Sequence, residues 1–338
     1  RLLQLTMSAN SYINRVPLSN KRLLVLLDNM IWPILAVVCL GIAIIVPQTF
    51  RNFSSIQFVL HSSVGLGFLV LAESICLISG HFDLSVGAIA GFSAMLAAMI
   101  VSSSKWALIS DPILGIGIIL VIGLVLGTVN GTMIAKLGIN PFLQTLAALI
   151  ILQGGKLALS TSAVGGLPEG YTYLGNNAWS AVSLLLFAYL LIGVVMRHTP
   201  FGQAIYALGS DKESTRAVGI NTDRMTIAVY AISGLLSATA GLMLTGYTSV
   251  VSVEIARDTV FPAFAASVIG GISLFGGRGK VSGALGGVAL LGVIQSALSL
   301  SGTPVEQIQL TNGLVLLAAI ILYNSQESLR DSILSSEV

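Results

Sequence analysis

Charge is scarce in this sequence. Only 9% of its 338 residues are Asp, Glu, Lys or Arg, where a soluble domain carries about 25%. So few charges cannot clothe a water-exposed body of this size, and 55% of the residues are hydrophobic, with mean hydropathy +0.92. A soluble globular domain is excluded, and a bilayer is the solvent the chain fits. Cysteine is nearly absent. Cys39 and Cys76 both fall inside apolar runs, which argues against a structural disulfide, and no Cys/His metal spacing exists. The net charge of +2 gives no basis for a nucleic-acid partner. The N-terminal region lacks a short apolar core followed by a small-residue cleavage site. Residues 1–30 therefore read as a cytoplasmic segment ahead of an uncleaved span. A nucleotide loop is also missing. GRGKVSG at 277–283 contains Gly-Lys, but Leu274 stands where the first Gly of a P-loop belongs and Val281 where Ser or Thr is required. No cofactor is expected in this chain, and ATP and Mg would belong to a partner ATPase.

Long apolar runs are present in quantity. At about 20 residues per crossing, ten spans are predicted: 31–49, 56–78, 84–103, 112–135, 141–160, 179–196, 225–248, 260–275, 281–300 and 308–323. The eighth is short and interrupted by glycine. With the N-terminus inside, 12 basic residues (Arg1, Arg15, Lys21, Arg22, Lys136, Arg197, Lys212, Arg216, Arg224, Arg278, Lys280, Arg330) fall on the inner side. Arg51, Lys105, Lys156 and Arg257 fall outside or near it. That split favours an even number of spans with both termini cytoplasmic. The expected organisation is an N-terminal segment 1–30, containing a short interfacial helix in KRLLVLLDNM, a transmembrane domain 31–323, and a cytoplasmic tail 324–338. The outer loop 161–178 has no basic residue. The inner loop 197–224 is the most charged segment of the chain. Glycine is abundant at 36 residues, as close helix packing in lipid requires. Gly87 and Gly91, like Gly283 and Gly287, recur four apart near the start of a span, a weak internal repeat.

Ionisable groups inside a membrane are costly and are functional candidates by default. Glu73 lies mid-span. His61 sits near the outer end of the same span, and His81 and Asp83 follow its inner end. Lys156 lies in the outer part of the fifth span. Glu73 with Lys156 is the one candidate relay pair of an ion-coupled transporter, or else Glu73 is a carboxyl paired with a neighbouring helix or kept protonated. His81, Asp83 and Ser85 have the residue types of a hydrolase triad, but three residues within five positions point to different sides. Asp83 reads better as a helix cap accepting from the N–H groups of residues 85 and 86, with His81 in the turn near the inner surface. Ser62, Ser63, Glu73, Asn130, Gln144 and Gln295 are candidate pathway residues, each polar within or beside a span.

Three stretches carry a family resemblance: SGHFDLSVGA, KLGINPFLQTLAAL at 136–149, and AFAASVIGGISLFGGRGKVSGALGGVALLGVIQSALSL at 263–300. They resemble the signature blocks of permease subunits from bacterial ATP-binding-cassette importers for ribose, xylose, galactose and autoinducer-2. The blocks include Asp83, Ser85, Gly87, Gly270, Gly271, Gly276, Gly277 and Gly279, and Gly91 follows just after the first. His81 and Phe82 depart from the usual pattern, as does Glu73. The resemblance implies an all-α polytopic permease with about ten transmembrane helices, in the vitamin-B12-importer type of fold, in the cytoplasmic (inner) membrane. It implies a second permease subunit (homo- or heterodimer), two cytoplasmic ATPase domains, a periplasmic substrate-binding protein, and a sugar-like or nucleoside solute. It also gives DKESTRAVGIN a role. Glu213, Ser214, Thr215, Arg216, Ala217 and Gly219 match the spacing of the importer coupling motif. The implied helix over 212–218, ended by Gly219, would dock an ATPase. The chain itself is then a transport subunit and not an enzyme.

Overall fold

In the computed structural model, which describes residues 29–335, every regular element longer than a bridge is helical. The predicted interfacial helix falls largely outside the described residues. Polar caps set many of the helix starts. Asp111, Asn140, Asn177, Thr199, Asp211 and Asn221 each accept backbone N–H groups of the first turn, the groups a helix leaves unpaired.

In chain order the elements are α1 (Ile31–Ile45), α2 (Phe53–Ser62), α3 (Val64–Ile78), α4 (Val86–Val101), α5 (Pro112–Leu137), α6 (Pro141–Leu159), α7 (Glu169–Asn176), α8 (Ala178–His198), α9 (Pro200–Ser210), α10 (Lys212–Ala217), α11 (Thr222–Thr248), α12 (Val260–Ile269), α13 (Val281–Leu300) and α14 (Val305–Ser335). Each of the ten predicted spans coincides with a helical segment. Among the described residues seven segments are long and apolar enough to cross a membrane. The other three, α1, α4 and α12, are shorter. The eighth predicted span, already short and interrupted by glycine in the sequence, is the least complete of these. It is a helix of 10 residues, Val260–Ile269, about 15 Å long, followed by irregular chain. Two helices were not anticipated: α7 inside the outer loop and α9 inside the inner one. Beyond the predicted tenth span, α14 continues to Ser335.

The centre of the bundle is α11, packed against α3, α4, α5 and α7. Its closest neighbour is α5. A Cβ at Gly127 would collide with the Tyr230 carbonyl, and one at Gly234 with the Gly123 carbonyl. Small residues thus let the two backbones touch, which is how helices gain contact in a solvent as apolar as their own side chains.

Two of the short helices begin halfway through the bundle. After α3 ends, the chain 79–85 runs back along α11 until Asp83 meets Ser233, near the middle of that helix. Only then does α4 start. After α11 ends, the chain 249–259 descends from the opposite end until Ala256 and Thr259 lie against Gly87 in the first turn of α4. There α12 starts. Thus α4 and α12 begin side by side, each preceded by a non-helical strand of chain. The weak glycine repeat maps onto this arrangement. Gly87 and Gly91 admit residues 255–259, and Gly283 and Gly287 admit the end of α12.

Candidate functional site

At one end of the bundle three segments converge on glycine. A Cβ at Gly209, near the end of α9, would strike the Ile78 carbonyl and the Gly277 nitrogen. The Gly277 N–H donates to the Ile78 carbonyl at 2.9 Å. Gly276 and Gly277 take left-handed φ of 83° and 69°, which L side chains adopt only with strain. The predicted glycine block 270–279 is therefore a turn that grips the end of α3 and the end of α9. Gly270 packs on Gly283, Gly271 is left-handed, and Gly279 lies against Ile272 while its carbonyl accepts from Tyr206 Oη at 2.8 Å.

From this knot α10 projects. Asp211 caps it, accepting from Glu213 and Ser214 N–H at 2.8 and 3.0 Å and from Ser214 Oγ at 3.0 Å. Those bonds hold the Asp211 carboxyl below its ordinary range. Thr215 alone is turned in, at 3% exposure, and bonds back to the Asp211 carbonyl. Lys212, Glu213, Ser214, Arg216, Ala217, Val218 and Gly219 are exposed. Lys212, Glu213, Arg216 and Ala217 border an open hollow of about 600 Å³. Gly219, at φ 91°, ends the turn. The structure thus brings five of the six residues of the predicted coupling motif onto one short, capped, protruding helix, with Gly219 just past its end.

The SGHFDLSVGA motif is buried deeper than the sequence suggested. Asp83 was expected near water and is fully buried, because α4 starts halfway up the bundle. Its Oδ1 accepts from Ser85 N–H at 3.0 Å and Ser85 Oγ at 2.5 Å, and its Oδ2 from Ser233 Oγ at 2.8 Å. No bond reaches residue 86, so Asp83 closes a turn and ties it to α11 rather than capping the helix in the expected way. His81 bonds Ser79 Oγ at 2.9 Å and touches neither Asp83 nor Ser85, so no triad forms. Burial and the nearby Lys212 ammonium push His81 down to about 4. At the other end, His61 Nε2 lies 2.7 Å from the Gly175 carbonyl of α7.

The expected relay pair is not an ion pair. Lys156 donates to the Ile255 carbonyl at 3.1 Å. Glu73 lies beside the backbone N–H of Asp83, its Oε2 without a partner, and no salt bridge joins it to Lys156 among the described residues.

The six pathway candidates separate into groups. Glu73 and Asn130 are buried within the bundle. Asn130 donates to Ser85 Oγ at 2.9 Å and accepts from Gln144 at 3.2 Å, so a polar chain runs from α6 through α5 to Asp83. Ser62 bonds Ser296 Oγ at 3.1 Å, Ser63 bonds the Val59 carbonyl at 2.6 Å, and Gln295 donates to Asn312 at 3.1 Å. These place a second polar seam between α2, α13 and α14. Reading by span missed Asn312, Ser296 and the exposed Gln307 and Gln309. The signal was present in VEQIQLTN, whose first residues fell just ahead of the predicted tenth span.

Residues 55–323 match a family described as branched-chain amino acid transport system, permease component. The chain is 31% identical over 264 residues to the ribose import permease of Bacillus subtilis (strain 168), covering 76% of this chain and 80% of that protein. It is 30% identical over 297 residues to the L-arabinose transport system permease of Escherichia coli (strain K12), covering 85% and 88%. It is 29% identical over 294 residues to the autoinducer 2 import system permease of Photorhabdus laumondii, covering 85% and 87%. No solved structure matches the chain with significance. With its apolar crossing helices and this match over most of its length, the chain belongs to the permease family of ATP-binding-cassette importers, as a multi-pass inner-membrane transport subunit whose ATPase is a separate chain.

Proposed function

We propose that this permease carries a small hydroxylated solute of the sugar type, received from a periplasmic binding protein. It works as one of two permease subunits above two ATPase domains, which bind the ATP and Mg. The protruding helix α10 is the ATPase contact. The observation that carries this reading is that α10 is capped, exposed on nearly every side, and anchored at both ends, although a six-residue helix has no stability of its own. A solvated loop has no need of such support. In this reading the chain crosses ten times in the vitamin-B12-importer arrangement with both termini cytoplasmic, and α10, Lys136, Arg278 and Lys280 lie together on the inner side, as the distribution of positive charge favours.

The solute class rests on two supports. Ribose, arabinose and autoinducer 2 are named for the relatives, although the family description names branched-chain amino acids. The seam Ser62–Ser296 and Gln295–Asn312, continued by Gln307 and Gln309 on a helix that buries little in the protomer, supplies hydrogen-bonding groups where a lipid-facing helix has none. Glu73 and Asn130, packed inside the protomer, are structural in this reading, and the wall of the pathway is α13 with the outer half of α14.

The test is reconstitution with the cognate ATPase and binding protein. D-ribose, D-fructose, L-arabinose and L-leucine are each offered in turn. Stimulation of ATP hydrolysis by a sugar-loaded binding protein is expected, and stimulation by leucine alone refutes the solute class. Glu213→Arg is expected to strip the ATPase from the purified complex, and an intact, coupled complex refutes the docking role of α10.

A further inference from the structure

Between α10 and α11 the chain passes Val218, Gly219 and Ile220. Gly219 has a left-handed φ of 91°, and a Cβ built there would meet nothing within 4 Å. Val218 is exposed. Backbone bonds tie Gly219 and Ile220 back to the Arg216 and Thr215 carbonyls, so this turn moves with α10, and the swivel to α11 lies at its end, before Asn221. By the covalent path alone, α10 can rotate about that point without moving the helix that follows.

A side-chain clamp spans the swivel. Arg216, on α10, donates from Nη2 to Asp223 Oδ1 at 3.1 Å, and from Nη2 and Nε to Thr222 Oγ1 at 3.0 and 3.3 Å. Thr222 and Asp223 form the first turn of α11, where a carboxylate is also favoured by the helix dipole. The other oxygen of Asp223, Oδ2, lies 3.5 Å from Lys136 Nζ in the last turn of α5. One carboxylate therefore joins three elements: α10, α11 and α5.

We propose that Asp223 is the positioning residue of the transport cycle: it couples displacement of α10 to the α5–α11 pair. The inference rests on α10 being the ATPase contact. What lies beyond the clamp suits the role. Gly123, Gly127 and Gly131 of α5 lock onto Tyr230, Gly234 and Ile227 of α11, so the pair moves as one body. In turn α11 holds the chain ahead of α4, through Tyr230 Oη to the Phe82 carbonyl at 2.7 Å and Ser233 to Asp83. The upstream end of α10 has its own rigid anchor in the Gly209 knot. The clamp is the downstream one.

The energetics separate positioning from folding. The Lys136 and Arg216 side chains are more than half exposed, and exposed ion pairs add little to folding stability. The α5–α11 contact does not depend on them. Removing the carboxylate should therefore free α10 while leaving the bundle folded.

The permease is assembled with its cognate ATPase in lipid nanodiscs, with spin labels at Ile113 on α5 and Phe187 on α8, both exposed. The probe is ATP with vanadate. The parent complex is expected to change its label distance on trapping. In Asp223→Asn the ATPase stays bound and hydrolyses ATP, while the share of molecules that shift falls about fivefold or more. Asp223→Glu restores at least half of the shift, and Lys136→Met, at a side chain too exposed to decide folding, lowers it in the same direction. No shift in the parent complex, or equal shifts in the parent, Asp223→Asn and Lys136→Met, overturns the inference. Glu213→Arg separates the two readings. If it leaves the ATPase bound and coupled, the docking role of α10 itself fails. If it strips the ATPase while Asp223→Asn shifts like the parent, docking stands and the clamp alone falls.

Discussion

Asp83 shows what a buried charge requires. Its carboxylate is fully buried and is satisfied by one N–H and two hydroxyls, from Ser85 and Ser233. Leaving a buried polar atom without its partner costs about 1–3 kcal/mol, so Ser233→Ala should lower stability by about that much. Unfolding of the detergent-solubilised protein measures it, and an unchanged midpoint would refute the tie between the turn and α11. His81 provides a test with a sign. Its folded value of about 4 lies below the ordinary 6.5, so the unfolded chain takes up the proton first. Above pH 6.5 its burial has no protonation penalty. As pH falls from 6.5 toward 4, stability is lost, by about 3 kcal/mol at most. The gap in stability between the parent and His81→Gln should therefore shift against the parent across that window and be constant above it. A flat difference would remove His81 from the account.

Among the helices, close approach and capping make distinct predictions. Gly117 and Gly127 both lie on α5. A Cβ at Gly117 meets open space, while one at Gly127 runs into the Tyr230 carbonyl. Gly117→Val should leave the yield of folded protein unchanged. Gly127→Val should cost about 1–3 kcal/mol or more and abolish monodisperse protein on size exclusion. Equal behaviour would mean that α5 and α11 do not touch there. For α10 the decisive residue is the cap. Asp211→Ala removes the cap from a helix too short to stand alone. The permease should still fold but lose affinity for its ATPase, read by co-purification.

For the molecule as a whole, the distribution of ends is the property to test. The knot, α10 and Lys136 share one end, and the chain around Val164 and Val251 the other. Cysteine introduced at exposed Val218 should react with an impermeant thiol reagent in inside-out vesicles and not in intact spheroplasts. Cysteine at Arg257 should do the reverse. Labelling of both from one side would overturn the proposed topology. The half-way starts of α4 and α12 also follow from the whole. A short helix within a bilayer is tolerated where neighbouring protein satisfies its leading chain, and here α11 and the 249–259 segment do so.

The sequence by itself determined the class of solvent, the positions of the apolar helical segments and the short helix after Asp211. Each of these rests on local signals: run length, charge asymmetry, and the Glu213-to-Gly219 spacing shared with the importer motif. The start of α10 at Lys212 and its end before Gly219 were legible for that reason. Depth was not. Asp83 stands at the edge of an apolar run whether its helix starts at the surface or halfway through the bundle, and only its bond to Ser233, 150 residues away, decides which. The same holds for Glu73 and Lys156, whose types suggested a pair while their helices send them to Asp83 and to Ile255. The Asp223 clamp was invisible for a related reason. Arg216, Asp223 and Lys136 are ordinary surface charges in the chain, and tertiary structure made them a joint by bringing the end of α5 beside the start of α11.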